Sequence, residues 1–123
     1  MMRKSILIVD DEVAMCEVMK DLLKLRGYEV EYTTDGSHAI ALARKRNFDV
    51  ALIDLLMEGM NGVETLKAIK AIQPAIHIFI ITAYNEGELI DQALANGALK
   101  IFNKPFEIDE MCDVLTESAG NTN

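Results

Sequence analysis

Five short apolar runs, each followed by a stretch of helical periodicity, set out this chain. Ile6-Leu7-Ile8-Val9 and Val50-Ala51-Leu52-Ile53 have no polar alternate, as in strands buried on both faces of a helix-covered sheet. Glu29-Val30-Glu31-Tyr32 alternates instead and predicts an edge strand with one wet face. Strands are expected over about Ser5 to Val9, Glu29 to Thr33, Val50 to Asp54, Ile76 to Ile81 and Leu99 to Phe102.

Helices fill the intervals, over about Val13 to Leu25, Gly36 to Lys45, Val63 to Ile72, Glu86 to Ala95 and Ile108 to Glu117. The acids before Val13 suit a first turn, Gly27 and Gly97 suit C′ positions, Asp35 can cap the second helix and Pro74 stops the third. On the first helix the apolar residues from Ala14 to Leu25 span roughly 200°, against the ~100° stripe a surface helix requires. Part of that arc, Ala14, Met15 and Val18, is expected to stay exposed unless the helix is generously buried. Five strand–helix units in succession predict an α/β fold, a parallel sheet with helices on both faces and right-handed crossovers.

Composition changes this picture little. With 123 residues, half of them apolar, residues 1–118 suffice for one domain with its own core. Residues 119–123 read as a disordered tail or the start of a linker. A net charge of −8 argues against direct nucleic-acid binding by this domain. The apolar runs are too short to span a membrane and the N-terminus lacks a signal peptide's apolar region. Cys16 and Cys112 have no metal-ligand spacing and read as packing thiols of a reduced, cytoplasmic protein.

The chemistry lies where the strands end. Asp10 and Asp11 follow the first, Asp54 ends the third, Thr82 follows the fourth and Lys104 follows the fifth. In an open parallel sheet these tips share the carboxyl edge, where ligands bind. Three acids held ~5 Å apart at an effective dielectric of ~20 repel by about 3 kcal/mol per pair. A cation must offset that repulsion, and oxygen ligands without His or Cys select Mg²⁺ before Zn²⁺. Lys104 and the Thr82 hydroxyl suit the oxygens of a phosphate. Together they describe a site that receives a phosphoryl group, with Asp54 attacking in line. No residue in the set is placed as a base for fast hydrolysis, which suits a slow signal better than a metabolic enzyme.

The segments Ile6-Leu-Ile-Val-Asp-Asp-Glu12, Ala51-Leu-Ile-Asp-Leu55, Met60-Asn-Gly62, Ile81-Thr-Ala-Tyr84 and Lys104-Pro-Phe106 resemble the receiver domains of two-component response regulators. The likeness covers nearly the whole chain, and its pattern is nearest to single-domain sporulation-phosphorelay-type and nitrogen-regulator-type receivers. It implies a flavodoxin-like (βα)5 three-layer sandwich with strand order 2-1-3-4-5. It also implies that Asp54 accepts phosphate from a kinase phosphohistidine and switches a partner-binding surface. By the same resemblance Mg²⁺ or Mn²⁺ is held by Asp10, Asp11, Asp54 and the Leu56 backbone carbonyl, while Thr82 and Lys104 contact the phosphoryl oxygens. The Lys104–Pro105 bond is expected to be cis. The domain would then catalyse only its own phosphorylation and slow dephosphorylation, and would not be an enzyme in the metabolic sense.

The implied partner is a sensor histidine kinase or histidine phosphotransferase, docking on Ala14, Met15, Val18, Pro105 and Phe106. An effector domain or output protein, and a phosphorylation-dependent homodimer, also accord with the family. The switch would involve Thr82, Ala83, Tyr84 and position 101. Many receivers carry Tyr or Phe there; Ile101 argues against an aromatic rotamer switch, and Phe102, on the opposite strand face, reads as core. Glu58 replaces a common proline, which loosens the loop after Asp54 or has no consequence. Tyr84 and the Leu56 side chain either limit water access to the acyl phosphate or simply cover the edge. His38 and His77 lie off the acidic cluster and are expected to be solvated.

Two other classes fit the residues less well. A constitutive, unphosphorylated scaffold would be favoured by loss of Asp11, Asp54 or Lys104, and all three are present. An Asp-nucleophile phosphatase usually has a second Asp two residues after the nucleophile, where this chain has Leu56. A flavin protein needs a Ser/Thr/Gly phosphate loop where this chain has acids.

Overall fold

The computed structural model describes residues 4–57, 59, 61–83, 87–105 and 107–120. The expectations placed on Glu58, Tyr84 and Phe106 lie outside the described residues. The elements are β1 (Ser5–Val9), α1 (Val13–Leu25), β2 (Glu29–Thr33), α2 (Gly36–Lys45), β3 (Val50–Asp54), α3 (Gly62–Ile72), β4 (His77–Thr82), α4 (Glu88–Ala95), β5 (Ala98–Asn103) and α5 (Ile108–Gly120).

All four strand pairings are parallel, and the sheet order is β2-β1-β3-β4-β5. This is the flavodoxin-like order expected from the sequence. Val9 pairs with Ile53, Asp54 with Ile81 and Thr82 with Asn103. That register brings the carboxyl tips of β1, β3, β4 and β5 side by side. The Thr82–Asn103 pair carries β4 and β5 one residue beyond their expected ends. α5 continues to Gly120, so Ala119 and Gly120 are helical rather than part of a tail.

Strand alternation sends side chains to two cores. Leu7, Val9, Ala51, Ile53, Ile78 and Ile80 pack with residues of α2, α3 and α4 on one face. Ile6, Ile8, Val50, Leu52, Phe79 and Ile81 pack with α1 and α5 on the other. Burial of each large apolar side chain is worth about 1.5–3 kcal/mol, so one layer of these short strands between two layers of helices suffices. Phe102 is buried against Phe79, with ring centroids 5.8 Å apart, as its reading as core requires.

α1 buries Cys16, Met19 and Leu23, a narrower face than its apolar arc. Val18 remains 58% exposed and Ala14 is exposed, whereas Met15 is half-buried against the α1/α5 core rather than free. The helix ends where Gly27 takes φ 95°, a conformation that disfavours any residue with a Cβ. Asp35 caps α2 by accepting the His38 amide at 2.8 Å.

His38 is exposed, as expected. His77 differs: it opens β4 half-buried, and its Nδ1 is buried without a hydrogen-bond partner among the described residues. Its pairing with Val50 of β3 places it inside the sheet rather than in a solvated connection. One further side chain ties neighbouring elements together. Gln73, the C-cap of α3, accepts the Phe48 amide at 2.9 Å and donates to the carbonyls of Ala43 and Arg46, each at 2.7 Å.

Candidate functional site

The carboxyl edge is assembled by backbone before any side chain acts. The Asp10 amide donates to the Thr33 carbonyl at 3.2 Å, fixing the turn after β1. Asp10 is fully buried, and its Oδ1 accepts the Glu12 amide at 2.9 Å. Its carbonyl accepts from the Cys16 thiol at 3.2 Å. Burial, then the Asp10 charge, pushes that thiol up to about 12, which leaves it un-ionised near neutrality.

On the neighbouring strand the Asp54 side chain is nearly buried, and its Oδ1 accepts the Leu56 amide at 3.3 Å. The Leu55 amide donates to the Ile81 carbonyl, and the Gly62 amide donates to the Leu55 carbonyl at 2.7 Å. These bonds turn the chain sharply back over the tip of β3 into α3. From β5, the Lys104 amide donates to the Thr82 carbonyl at 2.7 Å, and the following Lys104–Pro105 bond is cis, as expected.

The side chains then converge. Oxygens of Asp10, Asp11 and Asp54 all lie within 4.8 Å of one another. Lys104 Nζ sits 3.0 Å from Asp10 Oδ2, 2.9 Å from Glu12 Oε1 and 3.5 Å from Asp54 Oδ2. Burial, with Asp10 next, pushes the Asp54 carboxyl up to about 6, although Lys104 and the Leu56 amide pull it down. For Lys104, burial works against its charge, but hydrogen bonds to Glu12 and Asp10 outweigh it and hold the ammonium above its ordinary range. One ammonium meets three carboxylates and Asp11 adds a fourth nearby, so the cluster retains excess negative charge. An oxygen-only donor set of this spacing fits a hard divalent cation.

Of the residues expected at the site, Asp10, Asp11, Asp54 and Lys104 meet directly. Thr82 is fully buried at the tip of β4, and Ala83 follows it at the surface. Ile101 pairs with Ile80 and packs half-buried toward the α2/α3/α4 core. The Leu56 side chain is 42% exposed beside Asp54. Ala14, Met15, Val18 and Pro105 line one cavity of about 560 Å³, with Glu12 at its rim. The contact between Glu12 and Lys104 was not read from the sequence, where Glu12 counted as an acid before a helix and as the end of the segment Ile6–Glu12.

Fold and edge together define the class: a flavodoxin-like α/β domain with an acidic, cation-accepting cluster at the carboxyl ends of its strands. Residues 6–116 match the response regulator receiver domain model, and the chain belongs to that family. It is 36% identical over 115 residues to sporulation initiation phosphotransferase F of Bacillus subtilis, covering 94% of this chain and 93% of that protein. It is 39% identical over 118 residues to the transcriptional regulatory protein ZraR of Escherichia coli O157:H7. That match covers 96% of this chain but only 27% of ZraR's length. Among solved structures, a CheY-like response regulator receiver domain protein from Methanospirillum hungatei superimposes with a TM-score of 0.94 at 28% identity, covering 98% of this chain and 96% of that one. Receiver domains signal through phosphorylation, bind Mg²⁺ at their acidic pocket and interact with histidine kinases or phosphotransferases. Among the described residues no helix is long and apolar enough to cross a membrane.

Proposed function

We propose that Asp54 is the phosphoacceptor of this receiver. The observation that carries the reading is a nearly buried carboxylate with an ammonium at 3.5 Å and oxygens of two further acids within 4.8 Å. An Asp54 carboxylate oxygen attacks phosphorus in line, the bond from phosphorus to the donor's imidazole nitrogen breaks, and its electron pair leaves with the imidazole. Carboxylates of Asp10, Asp11 and Asp54, with the Leu56 carbonyl, would hold Mg²⁺ or Mn²⁺. When bound, the ion neutralises charge on the transferring group. Lys104 would contribute a second positive charge, and the Thr82 hydroxyl would donate to a phosphoryl oxygen.

The donor is a phosphohistidine of a sensor kinase or phosphotransferase, in the cytoplasm. Its docking face is the α1 edge made by Ala14, Met15 and Val18 with Pro105, a cavity that opens next to Glu12. Ala83, next to Thr82, and Ile101 of β5, paired with Ile80, would pass the change toward α4 and β5 as a population shift. The domain turns over nothing but its own phosphate.

Intact mass after incubation with acetyl phosphate and Mg²⁺ tests the reading. Wild type should gain one phosphoryl group and Asp54→Asn none. Equal gain by the two proteins would remove Asp54 from the role.

A further inference from the structure

We infer that Glu12 is a positioning residue, holding the Lys104 ammonium off Asp54 in the unphosphorylated chain and releasing it when a phosphoryl group arrives. This rests on Asp54 being the phosphoacceptor.

Three carboxylates compete for one ammonium. Glu12 stands nearest at 2.9 Å, Asp10 follows at 3.0 Å and Asp54 is the farthest at 3.5 Å. A phosphoryl group on Asp54 brings further anionic oxygens to an ammonium that has only three protons to donate, so its contact with them competes with the two shorter ones. Asp10 is a poor candidate to let go. Its side chain has no exposure, and a buried carboxylate stripped of its cation is costly. Glu12 is 59% exposed, so its carboxylate returns to water at little cost.

The backbone also suits Glu12 to this task. It is the N-cap of α1, yet its side chain makes no cap hydrogen bond, and glutamate is a poor capping residue. Its amide is pinned to Asp10 Oδ1 and its carbonyl accepts the Cys16 amide at 3.1 Å. The main chain is therefore fixed over the site while the carboxylate reaches across to β5's lysine. Phosphorylation exchanges one anionic partner of Lys104 for another, and Glu12 is the partner given up.

Removing the Glu12 charge should free the ammonium and speed phosphorylation. An exposed ion pair of this kind corresponds to a rate increase of about 2- to 5-fold. The test is a time course of Asp54 labelling by acetyl phosphate at saturating Mg²⁺, for wild type, Glu12→Gln, Lys104→Met and the double variant. Glu12→Gln should raise the maximal rate with little change in the half-saturating donor concentration, and should have no effect once Lys104 is gone. An equal increase in both backgrounds, or one confined to the half-saturating concentration, would mean simple repulsion of an anionic donor and would overturn the inference. So would an unchanged rate in Glu12→Gln with wild type labelled normally on Asp54. Failure of wild type to label at all would instead bring down the phosphoacceptor reading, and this inference with it.

Discussion

Gly62 presses its α-carbon against the backbone of Asp54: a Cβ at position 62 would lie 2.5 Å from the Asp54 carbonyl oxygen and 2.7 Å from the α-carbon of Leu55. The obstructing atoms are main chain and cannot rotate away. Glycine here lets α3 begin directly over the tip of β3.

Gly62→Ala should therefore destabilise the fold by about 1–3 kcal/mol, the usual cost of overpacking a tight site. Urea unfolding measures it. A variant as stable as wild type would mean that the β3–α3 turn yields more readily than its contacts imply.

The Asp54 carboxyl, raised to about 6 by burial and Asp10, makes stability depend on pH in a direction opposite to that of an ordinary salt-bridged acid. Between about pH 4 and 6 the folded chain holds a proton that the unfolded chain has released, so stability falls as pH rises through that window. The full loss, on the order of 3 kcal/mol, is present above it. In EDTA, urea midpoints of wild type should drop relative to Asp54→Asn between pH 4.5 and 7.5. Parallel curves for the two proteins would refute the assignment.

Lys104→Met strips the fully buried Asp10 of its ammonium partner and should cost about 3 kcal/mol when no divalent ion is present. Mg²⁺ should restore much of that loss, because it offsets the same carboxylates. Thermal melts with and without Mg²⁺ decide the matter; an equal deficit in both conditions would separate the lysine from the cation's charges.

Val18 is exposed on α1 and lines the cavity shared with Pro105. Val18→Lys should slow phosphoryl transfer from a phosphohistidine protein by about tenfold, as for loss of an interface anchor, while leaving labelling by acetyl phosphate intact. Loss with both donors would point to misfolding, and loss with neither would move the docking face elsewhere.

Much of this was written in the residue pattern. The unbroken apolar runs at β1 and β3 announced strands covered on two faces, and the acids ending them announced a site, because carboxylates gathered at one sheet edge repel unless a cation joins them. Glu29 and Glu31 marked β2 as an edge for an equally local reason. What escaped depended on long-range packing. Nothing near His77 says that pairing with β3 will half-bury it, and nothing near Glu12 says that its carboxylate will meet a lysine 92 positions later. The extra turn at the end of α5 was also missed, since Ala119-Gly120 has the composition of a chain end and carries no helix-stop signal stronger than its glycine.

Gln73 has a consequence for how the molecule comes apart. Because one carboxamide from α3 satisfies two carbonyls at the end of α2 and the amide that leads into β3, that end of α2 cannot fray without breaking hold of the next helix. Amide protons across the α2–β3 connection should therefore exchange with deuterium in step with those of α3, as a single cooperative opening unit rather than as a loose loop between two independent ones.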